Sequence, residues 1–226
     1  MCYSFKTSII SFTIGIISAI IAFYTRQYLI AVFILFYIQM QLSEAIIWRG
    51  IDKDDIKLNK IGTAYGKYLL PTHIFAFGLG YLISLKMLNK KIDEKDFIPL
   101  IIGVIFYIIV VIFIYPSRNY PDTTFPYDKT CRSQGCQNNN NRLNWEYPYH
   151  WYIITTVIIY ILMMVLIKPL KSKLLYMSFF ILTLLISCIL NWKAMATIWC
   201  FLSAVLAPLI VLINYLLIRG ETEFVA

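Results

Sequence analysis

The chain has 226 residues, 60% of them hydrophobic and only 14% charged, with a formal charge of +8. An average soluble domain carries about 25% charged residues, and a soluble fold has no way to hide this much apolar surface, so lipid must be the solvent. The cations are scattered over every loop with acids beside many of them. No dense basic tract marks a nucleic-acid site, and the surplus suits interfacial anchoring and attraction to anionic lipid headgroups.

Seven apolar runs, each near the roughly 20 residues that span a bilayer, predict transmembrane helices over residues 5–24, 28–48, 68–88, 97–115, 151–167, 174–190 and 194–218. The predicted class is therefore all-α: one integral membrane domain over residues 1–226, a bundle of seven transmembrane helices, with short connections except at 116–150. The first run has no small-x-small cleavage site before the second, so it reads as a permanent helix, not a cleaved signal. Ser4, Ser8, Ser11, Gly15, Ser18 and Ala22 form one small-residue stripe along it, the pattern that lets helices approach closely in lipid.

The second run is different. Tyr37, Gln41, Glu44 and Trp48 fall on one face, and Glu44 lies about one turn inside the membrane at ~1.5 Å per residue. A carboxyl there is costly, so it must be protonated, paired or open to a watery cavity. The third run offers a partner in His73, on a stripe with Phe77, Gly80 and Ser84 and just after Pro71. The fourth has almost no polar atom between Ile101 and Ile114 and is expected to face lipid.

The loop 116–150 holds four prolines and the Asn run 138–141, so irregular structure is expected. Its Tyr120, Phe125, Tyr127, Trp145, Tyr147 and Tyr149, with Trp151, suit an interfacial aromatic belt, and it is the candidate surface for a protein partner. Cys131 and Cys136 could close a small disulfide loop if that side is oxidising; free thiols are the alternative. No Asn-x-Ser/Thr sequon occurs.

The sixth and seventh runs are joined at Asn191-Trp192-Lys193. The seventh repeats the small stripe with Ala196, Cys200, Ser203, Ala207 and Asn214, and Pro208 interrupts it. With seven crossings, eleven Lys and Arg lie on the amino-terminal side and nine on the other, too even for the positive-inside rule. The acid-free segment 168–173 with three lysines favours that face as cytoplasmic, which puts the amino terminus on the exoplasmic side. The same topology brings Cys2, Glu44, His73, His150, Lys193 and Cys200 into one half of the bilayer.

The opening Met1-Cys2-Tyr3-Ser4 with Ser8, the segment Gln41-Leu42-Ser43-Glu44-Ala45-Ile46-Ile47-Trp48, and Ile198-Trp199-Cys200-Phe201 are similar to three motifs of one family. They resemble the "MCFSA-x-AS" start, the "QQ-x-x-EG-x-x-W" helix and the "VWCFF" segment of small bacterial membrane proteins of unknown function with giant-virus relatives. The AT-rich composition leans toward the viral branch. The resemblance covers mainly the first 50 residues and the last helix, implies no established activity, and singles out Cys2, Glu44, Trp48, Trp199 and Cys200.

Retinal chemistry of the rhodopsin type is excluded, because the last helix has no mid-membrane lysine. With two histidines the chain also lacks the ligands of a ceramidase-type zinc hydrolase, and no Walker loop, Rossmann glycine pattern or Cys-x-x-Cys pair occurs. Three functions remain. The first is binding or translocation of a small solute or proton at Glu44, His73, Gln41, Trp48, Trp199, Cys200 and Cys2. The second is a structural or interaction protein of a viral or cellular membrane. The third is a membrane-embedded enzyme using Cys, His and Glu, with zinc as its candidate metal. No cofactor, substrate or oligomeric state is legible, and membrane lipids are the one partner composition implies.

Overall fold

The computed structural model describes residues 4–117, 121–126, 143–145, 149–167, 170–190 and 195–217. Cys2, Cys131, Cys136, the run 138–141 and Lys193, as well as the side chain of His150, lie outside the described residues. What is described is helical, without β-strands; Pro126 and Leu143 form an isolated antiparallel bridge.

Helix α1 (Phe5–Tyr24) starts at Ser4, whose side chain accepts from the Thr7 amide. Its stripe Ser8, Ser11, Gly15, Ser18 and Ala22 is buried, as small residues at a helix contact should be. Ser11 and Ser18 donate to the carbonyls of Thr7 and Ile14 in their own helix, so these hydroxyls ask nothing of the neighbours.

The second run is one span of two helices, α2 (Tyr28–Tyr37) and α3 (Gln39–Asp52), broken at Ile38. Gly15 explains how α1 tolerates the break. A Cβ there would lie 2.1 Å from Cγ2 of the fully buried Ile38, so only glycine leaves room for the side chain.

The stretch read as a connection after Trp48 is not a loop. α3 continues to Asp52, and α4 (Ile56–Leu69) follows, capped by the Asp55 side chain on the Leu58 amide. Its buried face is Asn59, Gly62, Thr63, Gly66 and Leu69, small and polar rather than hydrophobic. Helix α5 (Thr72–Met87) is bent by 55° from α4 at Leu70-Pro71, where proline removes a helical donor.

Three turns share one form. After α1, α3 and α5 the chain takes a left-handed residue, Arg26 (φ 60), Asp54 (φ 52) and Asn89 (φ 54). The next amides, of Gln27, Asp55 and Lys90, donate back to the carbonyls of Ala22, Gly50 and Leu85 at 2.8, 2.8 and 2.9 Å, the Schellman closure that satisfies orphan carbonyls.

A capping-box turn at Glu94–Phe97 leads into α6 (Ile98–Ile108), a π-helical segment (Ile109–Ile114) and a last turn, α7 (Tyr115–Ser117). Ile101, Ile105, Ile108, Ile112 and Phe113 are exposed, as expected of a lipid-facing span. Its inner edge lies hard against α5. A Cβ on Gly103 would sit 2.4 Å from Cα of Phe75, and one on Gly78 would sit 2.5 Å from N of Leu100.

The bundle closes with α8 (Tyr149–Leu166), α9 (Leu170–Leu190) and α10 (Met195–Leu217), the last running through Pro208. α1 packs against α2, α3 and α10; α5 against α2, α6 and α8; α9 against α8 and α10. By length and composition, five helices among the described residues can cross a bilayer, or six if the bent α4–α5 pair is one span; in α8 the apolar stretch is Val157–Leu166.

Candidate functional site

The predicted cluster divides into two places. Gln41, Glu44 and Trp48 on α3 are fully buried, as is Ser43, which donates to the Gly62 carbonyl at 2.8 Å. α4 therefore lies directly over the polar face of α3. The long loop adds a third wall. The indole Nε1 of Trp145 donates to Oε1 of Glu44 at 3.3 Å, and Leu143 packs with Ile47, Trp48 and Ile51. Trp145 turns its ring inward over Gly66, where a Cβ would meet it at 2.6 Å.

A second strut fixes the loop. Asn59 on α4 reads the backbone of Thr124 from both sides, donating through Nδ2 to its carbonyl at 2.8 Å and accepting its amide on Oδ1 at 3.0 Å. The hydroxyls of Thr63 and Thr124 meet at 3.1 Å.

His73 lies elsewhere. Together with Phe33, Tyr37, Leu70, Thr155, Ile159, Phe180, Trp199 and Cys200 it lines a cavity with a water-accessible volume of about 20 Å³. The imidazole is 4% exposed, and its Nε2 has no hydrogen-bond partner. Carbonyls of Leu70 and Phe36 lie beside the ring. Tyr37 tilts against it at 5.6 Å between centroids and donates to the Trp199 carbonyl at 3.3 Å. The Trp199 indole is held in turn, donating to Oγ1 of Thr183 at 2.9 Å with Phe180 edge-on at 4.7 Å.

A larger cavity adjoins this one. Phe33, Tyr37, Phe180 and Trp199 line both. The larger has about 60 Å³ of water-accessible volume and continues between α2, α9 and α10 past Ser203 and Ala207 to Tyr176 and Val211. Its walls are aliphatic and aromatic, with Tyr37, Tyr176 and Ser203 as the polar exceptions and no charged residue.

A buried hydrogen-bond knot closes the far end. Oε1 of Gln27 accepts from the Tyr176 hydroxyl and from Nδ2 of Asn214, while its Nε2 donates to Oγ1 of Thr25 and to the Val211 carbonyl. Gln27 and Asn214 are fully buried. A lone Gln at the edge of an apolar run was the sequence signal for this knot, and it went unread.

The expected meeting of Glu44 with His73 and Cys200 is therefore corrected. Glu44 is absent from both cavity walls, whereas His73, Trp199 and Cys200 share one. Tyr37 stands between the two groups: it lines both cavities beside His73 and lies within electrostatic reach of both Glu44 and Cys200. Among the described residues no three His, Cys, Asp or Glu side chains gather where a metal ion could be held.

The architecture is that of a multi-pass, all-α membrane protein. Neither protein-family models, curated proteins nor solved structures yield a match to this chain.

Proposed function

We propose that this protein binds a small, mostly apolar solute inside the helix bundle, in the paired cavities between α2, α5, α8, α9 and α10. The observation that carries the reading is the pair of adjoining, mostly apolar cavities inside the bundle, the smaller lined in part by the buried His73. Ligand sites are concave and mostly apolar, with a few placed polar groups, and an ionisable residue within the membrane marks a functional site by default. This replaces Glu44 with His73 as the centre of the site and leaves translocation aside. Seven crossings with an exoplasmic amino terminus belong to the same proposal, as does kinship with the MCFSA family and its giant-virus branch.

Thermal unfolding of the protein in lipid nanodiscs, titrated with the small apolar probes xenon, methane and dichloromethane, tests the reading. A ligand at a hundred times its Kd stabilises by about 2.7 kcal/mol. At least one probe should raise the midpoint saturably, and Ala207→Phe, which fills the larger cavity, should remove the rise. No rise with any probe sinks the reading.

A second reading, an interaction protein working through loop 116–150, is supported by the struts at Thr124 and Trp145, which give that loop a fixed base. Deleting residues 127–142, which leaves Thr124, Leu143 and Trp145 in place, should then abolish partner recovery and spare the bundle.

A further inference from the structure

We infer that α3 and α4 form one arm that swings about a hinge at Ile38 and Leu70-Pro71, and that the swing opens and closes the smaller cavity. The inference rests on the solute-binding reading and adds the way a solute enters.

Three observations carry it. First, the irregularities of three spans lie near one level. Tyr37 meets His73 and Phe36 meets Phe75 ring to ring, at 5.6 and 6.2 Å between centroids, so the break at Ile38 stands beside the bend at Leu70-Pro71. Gly78 lies against Leu100 and Gly103 against Phe75, so α6 runs antiparallel to α5, and its π-helical segment starts close to that level, at Ile109. Such segments inside α-helices are frequent at functional sites. Second, beyond that level α3 and α4 are one tight body. A Cβ on Gly50, Gly62 or Gly66 would lie 2.6 Å from N of Asn59, 2.7 Å from Cγ1 of Ile47 or 2.6 Å from Oγ of Ser43. The Tyr65 hydroxyl donates to Oε1 of Gln39 at 2.9 Å, and Ile47, Trp48, Ile51 and Leu143 form a buried cluster separate from the main core. Third, carbonyls at the breaks have partners outside the helical ladder. Pro71 leaves the Lys67 carbonyl without its helical donor, and the Tyr115 hydroxyl donates to it at 2.6 Å. The side chains of Thr72 and Gln39 donate to the carbonyls of Leu69 and Leu35 at 2.6 and 3.1 Å. Bending there strands fewer polar groups in lipid, which is what makes a break inside a membrane tolerable.

The hinge acts on the cavity because Tyr37 and Leu70, which stand at the two breaks, are both part of its wall. At ~1.5 Å per residue the 14 residues of α3 make an arm of about 21 Å, so a swing of roughly 15° carries its far end about 5 Å.

Spin labels on the full chain in nanodiscs test the arm. One is placed at Ile56→Cys on α4 and one at Met87→Cys at the far end of α5, both exposed, with the five native cysteines replaced by alanine. Folding is checked by a wild-type unfolding midpoint. Pulsed dipolar spectroscopy should give two distances about 5 Å apart. Xenon should change their ratio about fivefold, the low end of ordinary coupling between sites. A control pair within the bundle, Met87→Cys with Leu182→Cys, should give one distance with and without xenon. Pro71→Ala, which returns a helical donor at the bend, should collapse the two arm distances to one. A single arm distance without that substitution, or a pair that Pro71→Ala leaves untouched, overturns the hinge. Two distances that xenon does not shift, while it raises the unfolding midpoint, overturn the gate and spare the solute-binding reading. If xenon, methane and dichloromethane all leave the midpoint where it was, that reading fails and the gate falls with it.

Discussion

Glu44 is the residue at which sequence and structure part most instructively. Its inward face was legible from the spacing with Gln41 and Trp48, and all three are fully buried. What faces it was not legible, because depth along a helix says nothing about rotation relative to a helix elsewhere in the bundle. The carboxyl meets Trp145, a residue 101 positions on that read as an interfacial aromatic. Losing that bond leaves a stranded indole donor, a cost of about 1–3 kcal/mol. Glu44→Gln keeps an oxygen for Trp145 and should lower stability by less than about 1 kcal/mol, while Glu44→Leu should lower it by the full amount, read from unfolding in increasing SDS. A Leu variant as stable as wild type would show that the carboxyl is retained for chemistry and not for packing.

At the scale of elements, α4 was missed for a physical reason. Hydrophobic periodicity finds helices whose buried face is apolar, but α4 buries Asn59, Gly62, Thr63 and Gly66 and exposes Ile56, Ile61, Lys57 and Lys60. The signal present was the cap, Asp55 three residues before Leu58. α1, in contrast, was read correctly to the residue, because its small stripe is a membrane packing pattern without competing polarity. The strut between α4 and the loop makes a sharp prediction. Asn59→Asp keeps size but replaces the donor to the Thr124 carbonyl with a second acceptor, so the two oxygens repel. Limited proteolysis should cut near residues 121–126 faster in Asn59→Asp than in wild type, and Thr63→Val, which loses one hydroxyl contact, should fall between. Equal cutting in all three would mean that the strut does not hold the loop.

At the scale of the whole molecule, the apolar runs announced the membrane, and the count of crossings is where composition runs out. The bent α4–α5 pair and the short apolar stretch of α8 fall at the edge of what length and hydropathy decide. Seven crossings place the two termini on opposite faces and six place them on the same face. Reporter fusions at residues 1 and 226, active on one side of the membrane only, should give opposite results; matching results would remove one span. The bundle's long-range polar bond is equally testable. Gln27 and Asn214 are 187 residues apart and meet at 2.8 Å. Interhelical hydrogen bonds in membrane proteins contribute about 0.6 kcal/mol on average, but Gln27 also accepts from Tyr176 and bonds the Val211 carbonyl. A double-mutant cycle of Gln27→Leu with Asn214→Leu should therefore give a coupling of about 1 kcal/mol, and a coupling of zero would reduce the knot to coincidence.

The pairing of α1 with α10 bears on how the protein is made. A ribosome delivers α1 first and α10 last, at roughly 5–20 residues per second, so α1 waits in the bilayer for most of synthesis before its partner exists. Ser11 and Ser18 have already turned their hydroxyls onto their own backbone, which lets those two donors wait in lipid at little cost. Gln27 has a local partner for its Nε2 alone, in Thr25, since Tyr176, Val211 and Asn214 emerge late. The oxygen of the Gln27 amide therefore waits for α9 and then α10, and its two late bonds distinguish a finished copy from an unfinished one.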